Sequence, residues 1–355
     1  MIALLGKGDP LTDGVKDYCT FVGGAMGQRG DTWELQELGW EKLGWRPALR
    51  RLDTLSQSWR GQWVLPQYTA LAWSQRSFPT RFLSVLRILK RNGARIGVIF
   101  HDANPYHGAR PVDRLRRAVQ THVMRKTYRI ADKCIFTVPL DNVTWLPENP
   151  TRGVLIPVGG NLPQSDLRAP APSGPKTKMR VAVYAVTAGN EWEVEQVRYA
   201  LSEAKKHFEE IELVMMGRGT EVYGSAYIQA LRGSGVNVNV RGVLPALEVI
   251  QELCASDAVL FARGGLASRR TGAVAGIACG LAVVGYAGPE TGFPLTEAGL
   301  ETAPAYDTRL LGEALVRVLT NDTRRAELQE RSRRAYQEYF SYDKIAEQIQ
   351  KALEN

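Results

Sequence analysis

Two consecutive α/β domains, each a Rossmann-like parallel sheet wrapped by helices and followed by C-terminal helices, are what the 355-residue sequence predicts. Three observations lead there. Short apolar runs alternate with longer segments of helical period from end to end, as in βαβ units whose strands are covered on both faces. The length exceeds the ~250–300 residues at which a single core stops growing. A Pro-, Ser- and Gly-rich stretch, NLPQSDLRAPAPSGPKTK at 161–178, interrupts the pattern near the middle, and its prolines hold the backbone extended. These features place an N-terminal domain at 1–162, a linker at 163–178 and a C-terminal domain at 179–340. A last helix at 341–355 is expected to pack back on the N-terminal domain.

In chain order, the first half reads as strands at Ile2–Leu5, Gln62–Leu65, Arg95–Phe100 and Cys134–Val138, with helices near 14–28, 79–92 and 111–130. The 79–92 segment gathers Phe82, Leu83, Leu86 and Leu89 on one face and ends in Lys90 and Arg91, which suits a helix covering the sheet or one lying on a membrane. The second half reads as strands at Arg180–Val186, Ile211–Met216, Val236–Val240, Ala258–Phe261 and Ala282–Gly285, separated by helical stretches. Beyond Tyr306 the chain is almost wholly helical, with Leu310, Leu311, Ala314, Leu315 and Val318 on one face.

Charge is distributed unequally. Residues 1–165 hold 23 basic and 13 acidic side chains, a net of +10, while the whole chain carries +8. A one-sided basic half suits phosphate-bearing ligands, an anionic membrane surface or nucleic acid. Six of the eight tryptophans, at 33, 40, 45, 59, 63 and 73, cluster within that half and suit sugar stacking, a membrane interface or a core. The four cysteines form no CxxC pair and only four histidines exist, so no disulfide framework or zinc site is expected. No apolar stretch approaches the ~20 residues of a membrane span, and the N-terminus has no basic n-region or cleavage site. A cytoplasmic protein is expected, with peripheral contact at the inner membrane face as a further expectation.

Several chemistries are set aside on spacing. GKGDPLTDG at 6–14 and GRGTEVYG at 217–224 lack the dinucleotide GxGxxG, and Walker, GxSxG, HExxH and Asp-x-Asp patterns are missing. What remains are turns placed after strands, where open α/β sheets bind ligands. GKGDPLTDGVKDY leads to a helix start near Gly14 that suits a phosphate or a sugar. VIFHDANPYHG at 98–108 sets His101 and Asp102 directly after a buried strand. VMMGRGTE at 214–221 holds Arg218 between two glycines. RGGLASRRTGAVAGIACG at 263–280 brings Arg269 and Arg270 to a helix start where Thr271 is expected to cap. Adjacent arginines there oppose the helix dipole unless an anion is bound.

These motifs, with IPVGGNLP before the linker and VRGVLPALEVIQELCASDAVLFA leading into GIACGLAVVGY, resemble the GT-B glycosyltransferases of the family 4 type. The resemblance spans nearly the whole chain and is most specific at 240–285. It implies two Rossmann-like domains facing a cleft, a donor held by the C-terminal domain, an acceptor held by the N-terminal domain, and no obligatory metal or cofactor beyond the nucleotide sugar. By position it implies Gly14 near the donor diphosphate, His101 on the sugar as the catalytic candidate, Val243 and Leu244 near the base, and Thr271 with Gly272 on the diphosphate. Asp17 and Asp102 are assigned to the acceptor. The family's glutamate pair falls on Ala267 and Ala275, and its basic pair after the first strand of the second domain is replaced by AVTAGNEWEVEQ at 185–196. Arg269 and Arg270 are taken to replace that charge, Arg218 to lie near the phosphate, and Glu290 to approach the ribose or sugar.

The expected activity is retaining transfer of a hexose from a nucleoside diphosphate sugar to a hydroxyl on a glycan, a lipid-linked acceptor or a small molecule, without nucleic acid as a partner. The alternatives are a non-catalytic nucleotide- or sugar-binding relative and an epimerase or hydrolase of the same architecture.

Overall fold

The computed structural model describes residues 1–7, 14–163, 178–186 and 191–354. Two compact units emerge: Met1–Pro157 together with Ile345–Asn355, and Val158–Lys344. The expected linker lies outside the described residues at 164–177, as does the middle of the first turn, 8–13.

In the first unit, β1 (Ile2–Leu5), α1 (Gly14–Gln28), β2 (Glu34–Glu37), α2 (Trp40–Leu43), α3 (Trp45–Ser56) and β3 (Trp63–Tyr68) are followed by α4 (Phe82–Arg91), β4 (Arg95–Phe100), α5 (Pro111–Ile130), β5 (Lys133–Phe136) and β6 (Gly153–Leu155). All pairings are parallel, in the order β2-β1-β3-β4-β5-β6. The direction of winding reverses between β1 and β3. Central strands such as β4 are fully buried beyond their first residue because helices cover both faces, which is why they read as unbroken apolar runs.

The second unit contains β7 (Lys178–Tyr184), α6 (Glu191–Lys205), β8 (Glu210–Met216), α7 (Thr220–Ala230), β9 (Val236–Gly242), α8 (Ala246–Cys254), β10 (Ala258–Gly265), α9 (Thr271–Ala278), β11 (Ala282–Tyr286) and β12 (Leu300–Ala303). Its parallel order is β12-β11-β10-β7-β8-β9, so winding reverses between β7 and β10. Helices α10 (Thr308–Thr320) and α11 (Asp322–Ala335) follow, then α12 (Tyr342–Glu354). Within the first unit, the end of α12 is tied down by Arg29 Nε donating to Gln350 Oε1 at 2.6 Å and Arg95 Nη2 donating to the Leu353 carbonyl at 3.4 Å.

Two surface readings of the basic half are corrected. The apolar face of α4 is buried through Phe82, Leu83, Val85, Leu86 and Leu89, so it covers the sheet and offers nothing to a bilayer. Trp40, Trp59 and Trp73 are core residues, and Trp45 stacks on Trp40 at 4.8 Å. Trp63 lies under the Arg95 guanidinium at 4.1 Å. The strand expected at 62–65 continues through Pro66 to Tyr68, although proline usually ends a central strand.

If α4 covers the sheet, Leu86→Ala should cost about 2–5 kcal/mol, the usual range for emptying a buried leucine site. Denaturant unfolding measures it; a loss within ~0.5 kcal/mol would mean that this face is exposed.

Candidate functional site

Ligands of open parallel sheets bind beyond the strand carboxyl ends where winding reverses. In the second unit that point lies between β7 and β10. The two strands end there in Tyr184 and in Arg263, Gly264 and Gly265. Gly272, in the first turn of α9, packs so closely that a side chain there would lie 2.8 Å from the Tyr184 carbonyl and 3.1 Å from Arg263 Nη2. Only glycine leaves room for the guanidinium beneath the start of this helix.

Arg263 is the residue that motif reading passes over. Its Nε is buried and makes no hydrogen bond among the described residues, and its guanidinium lies 5.1 Å from the Phe261 ring centre. Burial lowers its pKa, opposed by the charge of Glu193 and by Tyr184 and Tyr227. Glu193, in the first turn of α6, is 2% exposed and hydrogen-bonds Tyr227, whose phenol burial pushes up. An arginine stays protonated, so a cation sits near the first turns of two helices, which themselves favour anions. A buried donor without a partner is costly, and an anion placed here would satisfy it.

The neighbouring loop is braced from within. Arg269 Nε donates to Glu290 Oε2 at 2.7 Å, so two expected donor residues are brought together as a partly buried ion pair. Thr291 Oγ1 donates to the Leu266 carbonyl at 2.5 Å and accepts from Gly288 N–H at 2.8 Å. Gly265 and Gly288 touch backbone to backbone: a side chain on Gly265 would lie 2.8 Å from Gly288 Cα. Arg270 and not Thr271 is the N-cap of α9, a correction to the expected cap. The Arg270 backbone is extended, whereas Thr271 has already entered the helix and no side chain caps it.

Ala267 and Ala275, where the resembled family has glutamates, are 1% and 0% exposed. Arg218 is exposed between Gly217 and Gly219, and its carbonyl accepts from Val186 N–H at 3.0 Å. Val243 is exposed with its N–H on Glu221 Oε1 at 3.2 Å, while Leu244 packs against the core. The segment replacing the basic pair lies outside the described residues at 187–190.

In the first unit, Gly14 and Asp17 are exposed at the start of α1, and His101 follows β4. His101 Nε2 lies 2.9 Å from Gln67 Oε1, while Gln67 Nε2 donates to the Leu65 carbonyl at 2.8 Å. The glutamine therefore presents its oxygen, the histidine carries its proton on Nε2, and Nδ1 is left as an acceptor. The Tyr18 ring meets the imidazole edge-on at 5.1 Å. Burial lowers the His101 pKa to about 4, so the ring is neutral near pH 7. Asp102 Oδ2 accepts from Ala70 N–H at 3.2 Å, bracing the turn beside His101.

Among the described residues no cluster of three or more His, Cys, Asp or Glu side chains could hold a metal ion, and no helix is long and apolar enough to cross a membrane.

The two reversed-winding sheets define a class, the doubly wound two-domain α/β proteins, and solved structures narrow the fold to GT-B. HepE from Anabaena in complex with UDP and glucose matches with a TM-score of 0.67 over 100% of this chain and 99% of that one, at 14% identity. A glycosyltransferase from Rickettsia africae matches at 0.69 over 100% and 98%, also at 14% identity. Sucrose-phosphate synthase from Thermosynechococcus elongatus matches at 0.69 over 99% and 98%, at 17% identity. No protein-family profile and no curated protein matches the sequence.

The histidine gives a pH signature. Unfolded histidine titrates near 6.5 and folded His101 near 4, so the unfolded chain binds more protons between these values. The stability due to neutral His101 is fully present above about pH 6.5 and is lost as pH falls towards 4. Denaturant titrations across this range should show wild type losing ~1–3 kcal/mol more than His101→Gln. Parallel curves would mean that His101 is solvated.

Proposed function

We propose that this chain is a glycosyltransferase moving a hexose from a nucleoside diphosphate sugar to a hydroxyl acceptor, with retention of configuration. The observation that carries the reading is Arg263, half-buried at the winding reversal of the second sheet, whose buried Nε makes no hydrogen bond among the described residues. Support comes from the whole-length likeness to HepE, crystallised with UDP-glucose and with UDP and glucose. In this reading Arg263, Arg270 and the N–H groups of Thr271 and Gly272 take the diphosphate and stabilise it as it leaves. Such groups act when charge develops on the leaving oxygen and need no reorganisation at that moment. Gly14, Arg218, Val243, Leu244 and the Arg269–Glu290 pair border the nucleotide sugar. His101, neutral and with Nδ1 free to accept, takes a sugar hydroxyl, and Asp17 and Asp102 lie towards the acceptor. The departing diphosphate accepts the acceptor's proton. The reading places the enzyme in the cytoplasm, with the nucleotide sugar as co-substrate, no further cofactor or metal, and a glycan, lipid-linked or small-molecule acceptor.

A second reading, a non-catalytic nucleotide-sugar binder, is favoured by Ala267 and Ala275, which leave the site without the family's glutamate pair.

Nucleoside diphosphate release across a panel of UDP-, GDP- and ADP-sugars, with and without simple glycoside acceptors, separates the two. We expect release with at least one donor, lowered about 10²–10³-fold by Arg263→Met and clearly lowered by His101→Gln at unchanged folding. Tight donor binding without release would establish the binder instead.

A further inference from the structure

Helix α5 carries a dense block of positive charge on one side. Residues 110–129 contain seven basic side chains and one acidic one, Asp113. That carboxylate faces inward, 2% exposed, accepting from Arg116 Nη1 at 2.6 Å and from Arg110 N–H at 3.0 Å. Buried Val123, Met124 and Thr127 seat the helix on the protein. The opposite stripe, Arg114, Leu115, His122, Arg125, Lys126 and Arg129, falls at three- and four-residue spacing and is exposed throughout. Among the described residues no carboxylate pairs with any of its four cations.

At the amino end of the stripe the surface turns apolar. Leu115 is 58% exposed and Val112 40%, with Tyr106 54% exposed in the loop just before. The helix is 20 residues, about 30 Å long. Cations along one line with apolar and aromatic side chains at one end are what a helix lying on a bilayer presents: ammonium and guanidinium groups to lipid phosphates, apolar groups to the acyl boundary. Phosphates of nucleic acid would use the cations and leave the exposed leucine, valine and tyrosine without a role.

We propose that the outer face of α5 docks the protein onto an anionic lipid bilayer. The inference holds whether or not the chain transfers sugar. It assigns to α5 the membrane contact for which α4, with its buried apolar face, is unsuited.

Co-sedimentation of the full chain with vesicles of phosphatidylglycerol in phosphatidylcholine, and of phosphatidylcholine alone, at low and high salt tests it. Wild type should pellet with anionic vesicles at low salt and stay largely in the supernatant with neutral vesicles or at high salt. The combined variant R114Q/R125Q/K126Q/R129Q should lose binding by about tenfold or more at unchanged circular dichroism. Removing four exposed cations elsewhere, K206Q/R232Q/R309Q/R317Q, should leave binding intact. Leu115→Ser, which leaves the charge unchanged, should weaken binding to anionic vesicles several-fold at low salt, which attraction to a generic polyanion would not produce. Wild type remaining in the supernatant with every vesicle, or an α5 variant pelleting like wild type, overturns the proposal. Retention of single-stranded RNA by α5 without vesicle binding would make the surface a nucleic-acid one and overturn it equally.

Discussion

A parallel sheet covered by helices on both faces has no solvated side on which to keep polar groups, so its chemistry is confined to the carboxyl edge of the strands. Each unit here obeys that constraint. The interiors of β4 and β10 are fully apolar, and the first chain positions past burial carry the polar side chains: His101 after β4 and Arg263 at the end of β10. Their electrostatic states follow from where they emerge. The imidazole leaves the core beside a glutamine that fixes its tautomer, and desolvation keeps it neutral. The guanidinium cannot escape its charge by titration and is left near two helix starts with Glu193 as the nearby opposite charge.

The resembled family places two carboxylates where this chain has Ala267 and Ala275, and the surroundings have closed over both positions. A side chain on Gly160 would lie 3.0 Å from Ala275 Cα, and the Val158 N–H reaches the Ser268 carbonyl at 3.4 Å. Ala275 is fully buried, which leaves no open space for a longer side chain there. At these positions this chain has two buried alanines, while Gly272 leaves the Arg263 guanidinium its space. On this account the burden of catalysis shifts from contacts with the sugar towards stabilisation of the leaving diphosphate.

Much of the architecture was legible because central strands and their covering helices state themselves. The run RIGVIF gives β4, and 14–28 and 111–130 coincide with α1 and α5. Three of the four edge strands were not legible. β2 is ELQE, paired on one side only, and β6 and β12 are similarly short and partly exposed, so none needs an apolar run. The helices at 40–43 and 45–56 were hidden among tryptophans and arginines. At the site, adjacency in sequence drew attention to Arg269 and Arg270, yet the structure spends Arg269 on Glu290. Arg263 stood alone at the end of VLFA, and the available signal was a single cation closing an apolar strand at the winding reversal, visible only once strand order is known.

The central claim is that the buried Arg263 Nε makes no hydrogen bond among the described residues because a diphosphate is meant to supply one. Calorimetry with whichever of UDP, GDP or ADP binds best, its monophosphate and its nucleoside, on wild type and Arg263→Met, tests that claim directly. The account predicts that wild type gains about tenfold or more in affinity from nucleoside to diphosphate, and that Arg263→Met loses most of the gain while binding the nucleoside as before. An unchanged preference for the diphosphate in the variant would contradict it.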